Sequence, residues 1–361
     1  MKKLAPLLIS TAILSFTSSV LAKAPLGLPE VNIPQNNQLS QVKKALGKRL
    51  FFDKRLSGDG TISCASCHKP ELALTDGLTT AVGIKGQTGA RNTPTAMNAA
   101  YYTSFFVDGR ADSLETQALG PLGNPIEHGV KDFQPLLKLL QTDKKYAWMI
   151  KRAFNIQPNQ VTKEHIAKAI ASYERTLISA NTPFDRYLYA EDEKALNDSA
   201  KRGLRIFQRK GNCANCHEIT LNHALFTDNR FYNLGVGFDK IKPKFMDFIV
   251  AYKKAAAGEK INPMNVYDNK LQSEFGRYAV TGNISDIGRF KTPTLRNIAL
   301  TAPYMHDGSQ KTLEEVVEYY NKGGEKNPFL DPAIFPLELT DQEKKDLVAF
   351  LKSLTSPQFK K

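Results

Sequence analysis

Residues 64–68 read CASCH and residues 213–217 read CANCH. Together the two stretches use all four cysteines of the 361-residue chain: Cys64, Cys67, Cys213 and Cys216. Two thiols one helical turn apart can add to the two vinyl groups of a haem, and a histidine directly after the second then lies under the iron. Cys-x-x-Cys-His is therefore the attachment signature of a c-type haem, with His68 and His217 as proximal ligands. A disulfide, a redox-active thiol pair or half a zinc site would each need only the cysteines. The adjacent histidine in both copies, with no cysteine left over, argues against all three.

The N-terminus fits an exported haem protein. Lys2 and Lys3 precede a mostly apolar run from Leu4 to Val20, and Val20-Leu21-Ala22 has the small-residue cleavage pattern. Residues 1–22 are expected to be a secretory leader, and the mature chain is expected in the periplasm. No later run is apolar enough to predict a membrane span. The formal net charge of +13 suits an acidic protein partner better than nucleic acid, because no basic-aromatic nucleic-acid motif accompanies it.

The two halves repeat each other beyond the haem motifs. LGKRLFFDKRL (46–56) precedes the first and AKRGLRIFQRKG (200–211) the second. Downstream, TPTAMN (93–98) matches TPTLRN (292–297), VDG (107–109) matches HDG (306–308), and SLE (113–115) matches TLE (312–314), all at an offset of 199. The haem motifs are offset by 149, so the second half carries about 50 additional residues between its haem motif and its TPT word. This is an internal duplication with one haem per unit.

Local patterns are helical. Val42, Leu46 and Leu50 recur every four residues, Ile166, Ile170, Tyr173 and Leu177 form one stripe, and Thr340 with Glu343 makes a capping box ahead of Leu347, Phe350, Leu351 and Leu354. The expected fold is mostly α: two cytochrome c-like domains with long loops, residues 23–185 and 186–361.

The words CASCH, ARNTPT, DGRADSLETQALGP, CANCH, FKTPTLRNIALTAPYMHDG and TLEEVVEYYNKGG resemble the bacterial di-haem cytochrome c peroxidase/MauG family over nearly the whole mature chain. The resemblance implies an N-terminal haem that meets hydrogen peroxide and a C-terminal haem that passes electrons or shares the oxidised state. Calcium between the domains is implied at Asn92, Thr301 and Pro303. Peroxide reduction takes two electrons while a haem donor delivers one at a time, so two irons can hold both oxidising equivalents.

The same resemblance assigns the site residues. Glu127, in GPLGNPIEHGV, stands where the family keeps its distal catalytic glutamate, with Phe106 and Gln117 at further distal-pocket positions. His128 could assist as a base but is expected on the surface. Family members that need reductive activation cap the first haem with a histidine from the loop before ARNTPT. Here that loop reads AVGIKGQTG, with Ile84 and Lys85 at the position, and no histidine lies between His68 and His128. An open first iron is expected; the alternative is that Lys85 substitutes as a ligand.

For the second iron, Met305, His306, His223 and Tyr320 are candidates. The helix TLEEVVEYY carries the family's axial position, methionine in the peroxidases and tyrosine in the MauG branch, which points to Tyr320. The usual tryptophan before DGR is replaced by Val107, and the only tryptophan is Trp148. The expected activity is peroxide reduction with electrons from a small cytochrome or cupredoxin. The alternatives are MauG-like oxidation of a partner protein's side chains, and a non-catalytic di-haem electron carrier.

Overall fold

The computed structural model describes residues 24–359, and the expected leader lies outside them. Helix accounts for 48% and strand for 4%, so the mostly α class holds. Among the described residues the one sheet is an antiparallel pair, Phe231–Asn233 with Arg289–Lys291. No helix among them is long and apolar enough to cross a membrane.

Each half is built on one helix pair. Helix Gln41–Phe52 starts where the Ser40 hydroxyl accepts from the Lys43 N–H, and it buries Leu46, Leu50 and Phe51. These pack on Ile166, Ala169 and Ile170 of helix Lys163–Glu174. In the second half, helix Asp198–Gln208, capped by Asn197, packs Leu204 and Phe207 on Leu347, Phe350 and Leu351 of helix Asp341–Lys352. The expected capping box at Thr340 and Glu343 forms.

A glycine makes each crossing close. A Cβ at Gly47 would run into the Ala169 carbonyl, and one at Gly203 into the Asp346 carbonyl. Four residues on, one helical turn, Phe51 and Phe207 face the haem-motif histidines, with ring centroids 6.2 Å from His68 and 6.4 Å from His217.

The additional residues of the second half make their own aromatic cluster of Phe238, Phe248, Tyr267, Phe275 and Tyr278, with the strand pair at its base. Helix Pro183–Tyr189 spans the expected division at 185/186 and sends Phe184 into the second core. It is anchored by Arg296 of the TPTLRN word. That guanidinium, 1% exposed, bonds both Asp185 oxygens at 2.8 Å and the Gly27 carbonyl at 2.6 Å. Removing one partner of such a pair would strand a buried charge.

Candidate active site

The repeated words position the haem-motif histidines. The Nδ1 of His68 bonds the Leu74 carbonyl at 2.9 Å, and the Nδ1 of His217 bonds the Phe226 carbonyl at 2.8 Å. Burial pulls both imidazoles below their usual range, toward the neutral form. An Nδ1–H committed to a carbonyl leaves Nε2 as a lone-pair donor, the tautomer a metal needs.

The accepting carbonyls belong to residues in left-handed backbone, Leu74 at φ 62° and Phe226 at φ 53°. The second threonine of each TPT word holds the preceding carbonyl: Thr95 Oγ1 donates to Ala73 at 2.6 Å, and Thr294 Oγ1 to Leu225 at 2.7 Å. The matched words thus build the same support twice. Thr294→Val should cost about 1–3 kcal/mol by leaving a carbonyl unpaired, read as a lowered thermal midpoint.

In the first half, Glu127 is half-buried and its carboxyl is pushed above its usual range by burial, against an opposing pull from Arg110. Its Oε1 accepts from Asn124 Nδ2 at 2.7 Å. The Cys67 thiol lies 3.9 Å from the carbonyl of Val82, in the loop that packs on Glu127. The backbone N–H of Ile84 donates to the Glu127 carbonyl at 3.0 Å, so the AVGIKG loop lies against the glutamate. Ile84 is buried, its methyl occupying the space where a Gly129 side chain would sit. Lys85 is exposed at φ 55°.

Phe106, also left-handed at φ 62°, lays its ring on Gly120 of helix Leu114–Gly123, with the Arg110 guanidinium 3.6 Å from the ring centroid. Gln117 is on that helix, half-buried.

His128 is not on the surface as expected. It is 4% exposed, both ring nitrogens lack a partner, and burial pulls it down to about 4. Its backbone N–H donates to Pro121 and its carbonyl accepts from Gly58, which folds the residue inward.

In the second half, a cavity of about 270 Å³ is lined by Cys213, Cys216 and His217 and by Met305, Val316, Val317 and Tyr320. The two adjacent tyrosines have different surroundings. Tyr319 donates its hydroxyl to the Leu234 carbonyl at 2.9 Å, whereas Tyr320 lines the cavity. Burial, reinforced by Cys213 and Cys216, pushes the Tyr320 phenol up.

His306 also borders the cavity, but its Nε2 is 2.7 Å from Glu274 and its ring stacks on Phe290 at 3.6 Å. Lys240 closes that acidic cluster, reaching Glu274 at 3.0 Å and Asp307 at 2.7 Å. His223 sits in a turn with Thr220. Met305 occupies the position matching Phe106, with the same left-handed backbone, φ 70°.

An apolar cavity lined by two thiols, an imidazole and a phenol would hold a haem, with His217 and Tyr320 as the candidate iron ligands. In the first half the paired thiols of Cys64 and Cys67 and the oriented His68 would hold the other haem. Asn92, Thr301 and Pro303 border the second cavity. Asn92 Nδ2 donates to the Leu78 carbonyl at 2.7 Å, which leaves its amide oxygen free for a hard cation.

Comparison with known proteins gives the family. The family profile described as di-haem cytochrome c peroxidase matches residues 41–194, and the cytochrome c profile matches 200–355. A methylamine utilization protein MauG from Methylorubrum extorquens is 39% identical over 92% of this chain and 84% of its own. The chain belongs to the di-haem cytochrome c peroxidase/MauG family. With that membership come two haem c groups and an oxidoreductase acting on peroxide. The cytochrome-c peroxidase IdrP1 of Pseudomonas sp. (strain SCT) is 36% identical over 97% of this chain and 91% of its own. The crystal structure of a MauG-like protein associated with microbial copper homeostasis superposes with a TM-score of 0.77 at 31% identity, covering 93% of this chain and 97% of that one.

Within this family fold, several residues near the site carry no motif. Val107 lines the second cavity and its carbonyl accepts from the Lys291 N–H at 2.7 Å. Tyr102 lines the same cavity, and its hydroxyl accepts from the Thr294 N–H at 3.2 Å. The Lys291 ammonium, 8% exposed, sits 3.5 Å from the Tyr102 ring centroid, and burial pulls it down to about 7. Glu174 is buried with one oxygen unpaired, and burial pushes it up to about 8. Its spacing of four from Ile170 put it on the apolar stripe, which was the available signal.

Proposed function

We propose that this chain is a periplasmic di-haem c-type peroxidase that reduces hydrogen peroxide with electrons from a small cytochrome c or cupredoxin. The observation that carries the reading is the pairing of Glu127 with the Ile84 loop. A half-buried carboxyl stands beside the first haem motif, and the loop that could supply a capping ligand presents a buried isoleucine instead.

Bound haem supplies the iron redox chemistry. The chain's own part is proton handling: the Glu127 carboxylate takes a proton from incoming peroxide and returns it to the departing oxygen, so that H2O2, two protons and two electrons give two waters. Asn124 holds the carboxylate in place, and the Phe106 ring under Arg110 forms an apolar wall. Calcium at Asn92, Thr301 and Pro303, and export directed by residues 1–22, belong to the same proposal.

Tyr320 favours a second reading, MauG-like oxidation of side chains on a partner protein. A phenolate stabilises an oxidised iron, which favours storing an oxidising equivalent rather than passing electrons. Mixing the di-haem protein with peroxide and a reduced protein donor separates the two. The first reading expects two donor molecules oxidised per peroxide at steady state. Peroxide consumption without donor turnover, accompanied by a mass change in a partner protein, would support the second instead.

A further inference from the structure

We propose that Lys291 is the ionic partner of a carboxylate on the second haem. This one buried charge turns the acidic edge of that haem toward the first half and raises its potential. Only the two haem c groups that the family brings are needed for this, whatever supplies the electrons.

The cavity beside Cys213, Cys216 and His217 is lined by aliphatic side chains of the second core, among them Leu313, Val317, Leu347 and Leu351. Among the described residues no aspartate or glutamate borders it, and Lys291 is its only lysine or arginine. Lys291 ends the strand Arg289–Lys291 and is 8% exposed. Its Nζ donates to the Ser104 carbonyl at 2.8 Å, its backbone N–H donates to the Val107 carbonyl at 2.7 Å, and the ammonium stands 3.5 Å from the Tyr102 ring centroid. All three partners belong to the first half, so the cation lies where the halves meet.

Among the described residues no carboxylate pairs with Lys291, and burial pulls its ammonium down to about 7. A carbonyl and a ring face offset only part of the cost of taking an ammonium out of water. Such a group gives up its proton or gains an anion. Neighbouring cations are already satisfied: Arg289 faces Asp286 at 3.9 Å, and Arg296 bonds Asp185 at 2.8 Å. An apolar cavity without an acid and with one unpaired cation suits a ligand that has an apolar body and an anionic edge. Haem has that make-up, a flat macrocycle bearing two carboxylates. The thiols and His217 fix where the macrocycle sits, and Lys291 fixes which way its carboxylates face.

The duplication makes this charge particular to the second haem. At the offset of 199 residues, KTPT (291–294) matches NTPT (92–95), so a neutral amide, Asn92, stands at the position of Lys291. Ferric iron carries more positive charge than ferrous iron, and a nearby ammonium therefore disfavours the ferric state. Tyr320 as phenolate favours it. The two side chains pull the potential of the second haem in opposite directions.

The test uses the intact di-haem protein, Lys291→Met and Lys291→Arg. Methionine keeps the length and apolar stem of the side chain and loses the charge, whereas arginine keeps the charge. Spectroelectrochemical titration should show the second haem of Lys291→Met shifted about tenfold toward the ferric form, about 59 mV for one electron. Lys291→Arg should restore most of the shift, and the first haem should move less. A crystal structure of the wild-type protein with both haems should place Lys291 Nζ within hydrogen-bond distance of a carboxylate of the second haem. That measurement stands even if neither variant assembles.

Haem carboxylates turned away from Lys291 overturn the proposal, as does a free anion from solution in their place. An unchanged potential in Lys291→Met overturns the control of potential. A potential lowered equally in Lys291→Met and Lys291→Arg does the same, because it assigns the effect to packing rather than charge.

Discussion

Glu127→Gln should leave both haems attached and slow the reaction with peroxide by roughly 10²-fold or more, the usual worth of a positioned acid–base group. Glutamine keeps the shape of the side chain and loses the titratable proton. Asn124 can still bond it through its amide, so the loop should hold.

The pH profile is the sharper half of this prediction. Burial raises the Glu127 carboxyl, and the carboxylate is the form that accepts a proton. The rate should therefore fall as pH drops through a value above the ordinary carboxylate range, and that limb should vanish in the variant. Stopped-flow mixing with peroxide across pH measures both. An unchanged rate would make Glu127 a structural acid and turn attention to His128, which is buried beside it with two unpaired nitrogens.

Tyr320→Met should raise the potential of the second haem by an amount on the order of hundreds of millivolts, within the roughly 0.8 V that axial ligands command. As built, the cavity favours the neutral phenol, because burial pushes it up. Binding as phenolate needs a cation in front of it, and ferric iron supplies one. A thioether has no charge to offer, so methionine should relinquish that hold on the ferric state and move the enzyme toward ordinary donor-driven turnover. Spectroelectrochemical titration of the two proteins decides it. Identical potentials and spectra would make Tyr320 a packing residue, with Met305, on the same cavity, as the next candidate.

The architecture was legible where chemistry or repetition is written locally. Cys-x-x-Cys-His declares itself, and the shared offset of the TPT words announced a duplication. The structure adds the reason those words repeat, namely that Thr95 and Thr294 hold the loops whose carbonyls orient His68 and His217. The division between halves was less legible, because Phe184 packs on Phe226 and Phe350 of the second core and its neighbour Asp185 pairs with Arg296, 111 residues away.

His128 was misjudged for a related reason. The loop EHGV has a polar look, and only its backbone bonds to Pro121 and Gly58 turn the ring inward. Tyr102 and Lys291 come from different halves of the chain, and no local pattern marks such a pair. Val107 was visible as a departure from the family, whereas its place on the wall of the second cavity needed coordinates.

The central claim is that the first site is open to peroxide, with Glu127 beside it and Ile84 where a capping ligand would stand. Electron paramagnetic resonance of the fully ferric di-haem protein tests it most directly. One high-spin signal from an open or water-bound first haem, together with one low-spin signal from the second, is the predicted spectrum. Two low-spin signals with no high-spin component would show the first iron capped and would contradict the account.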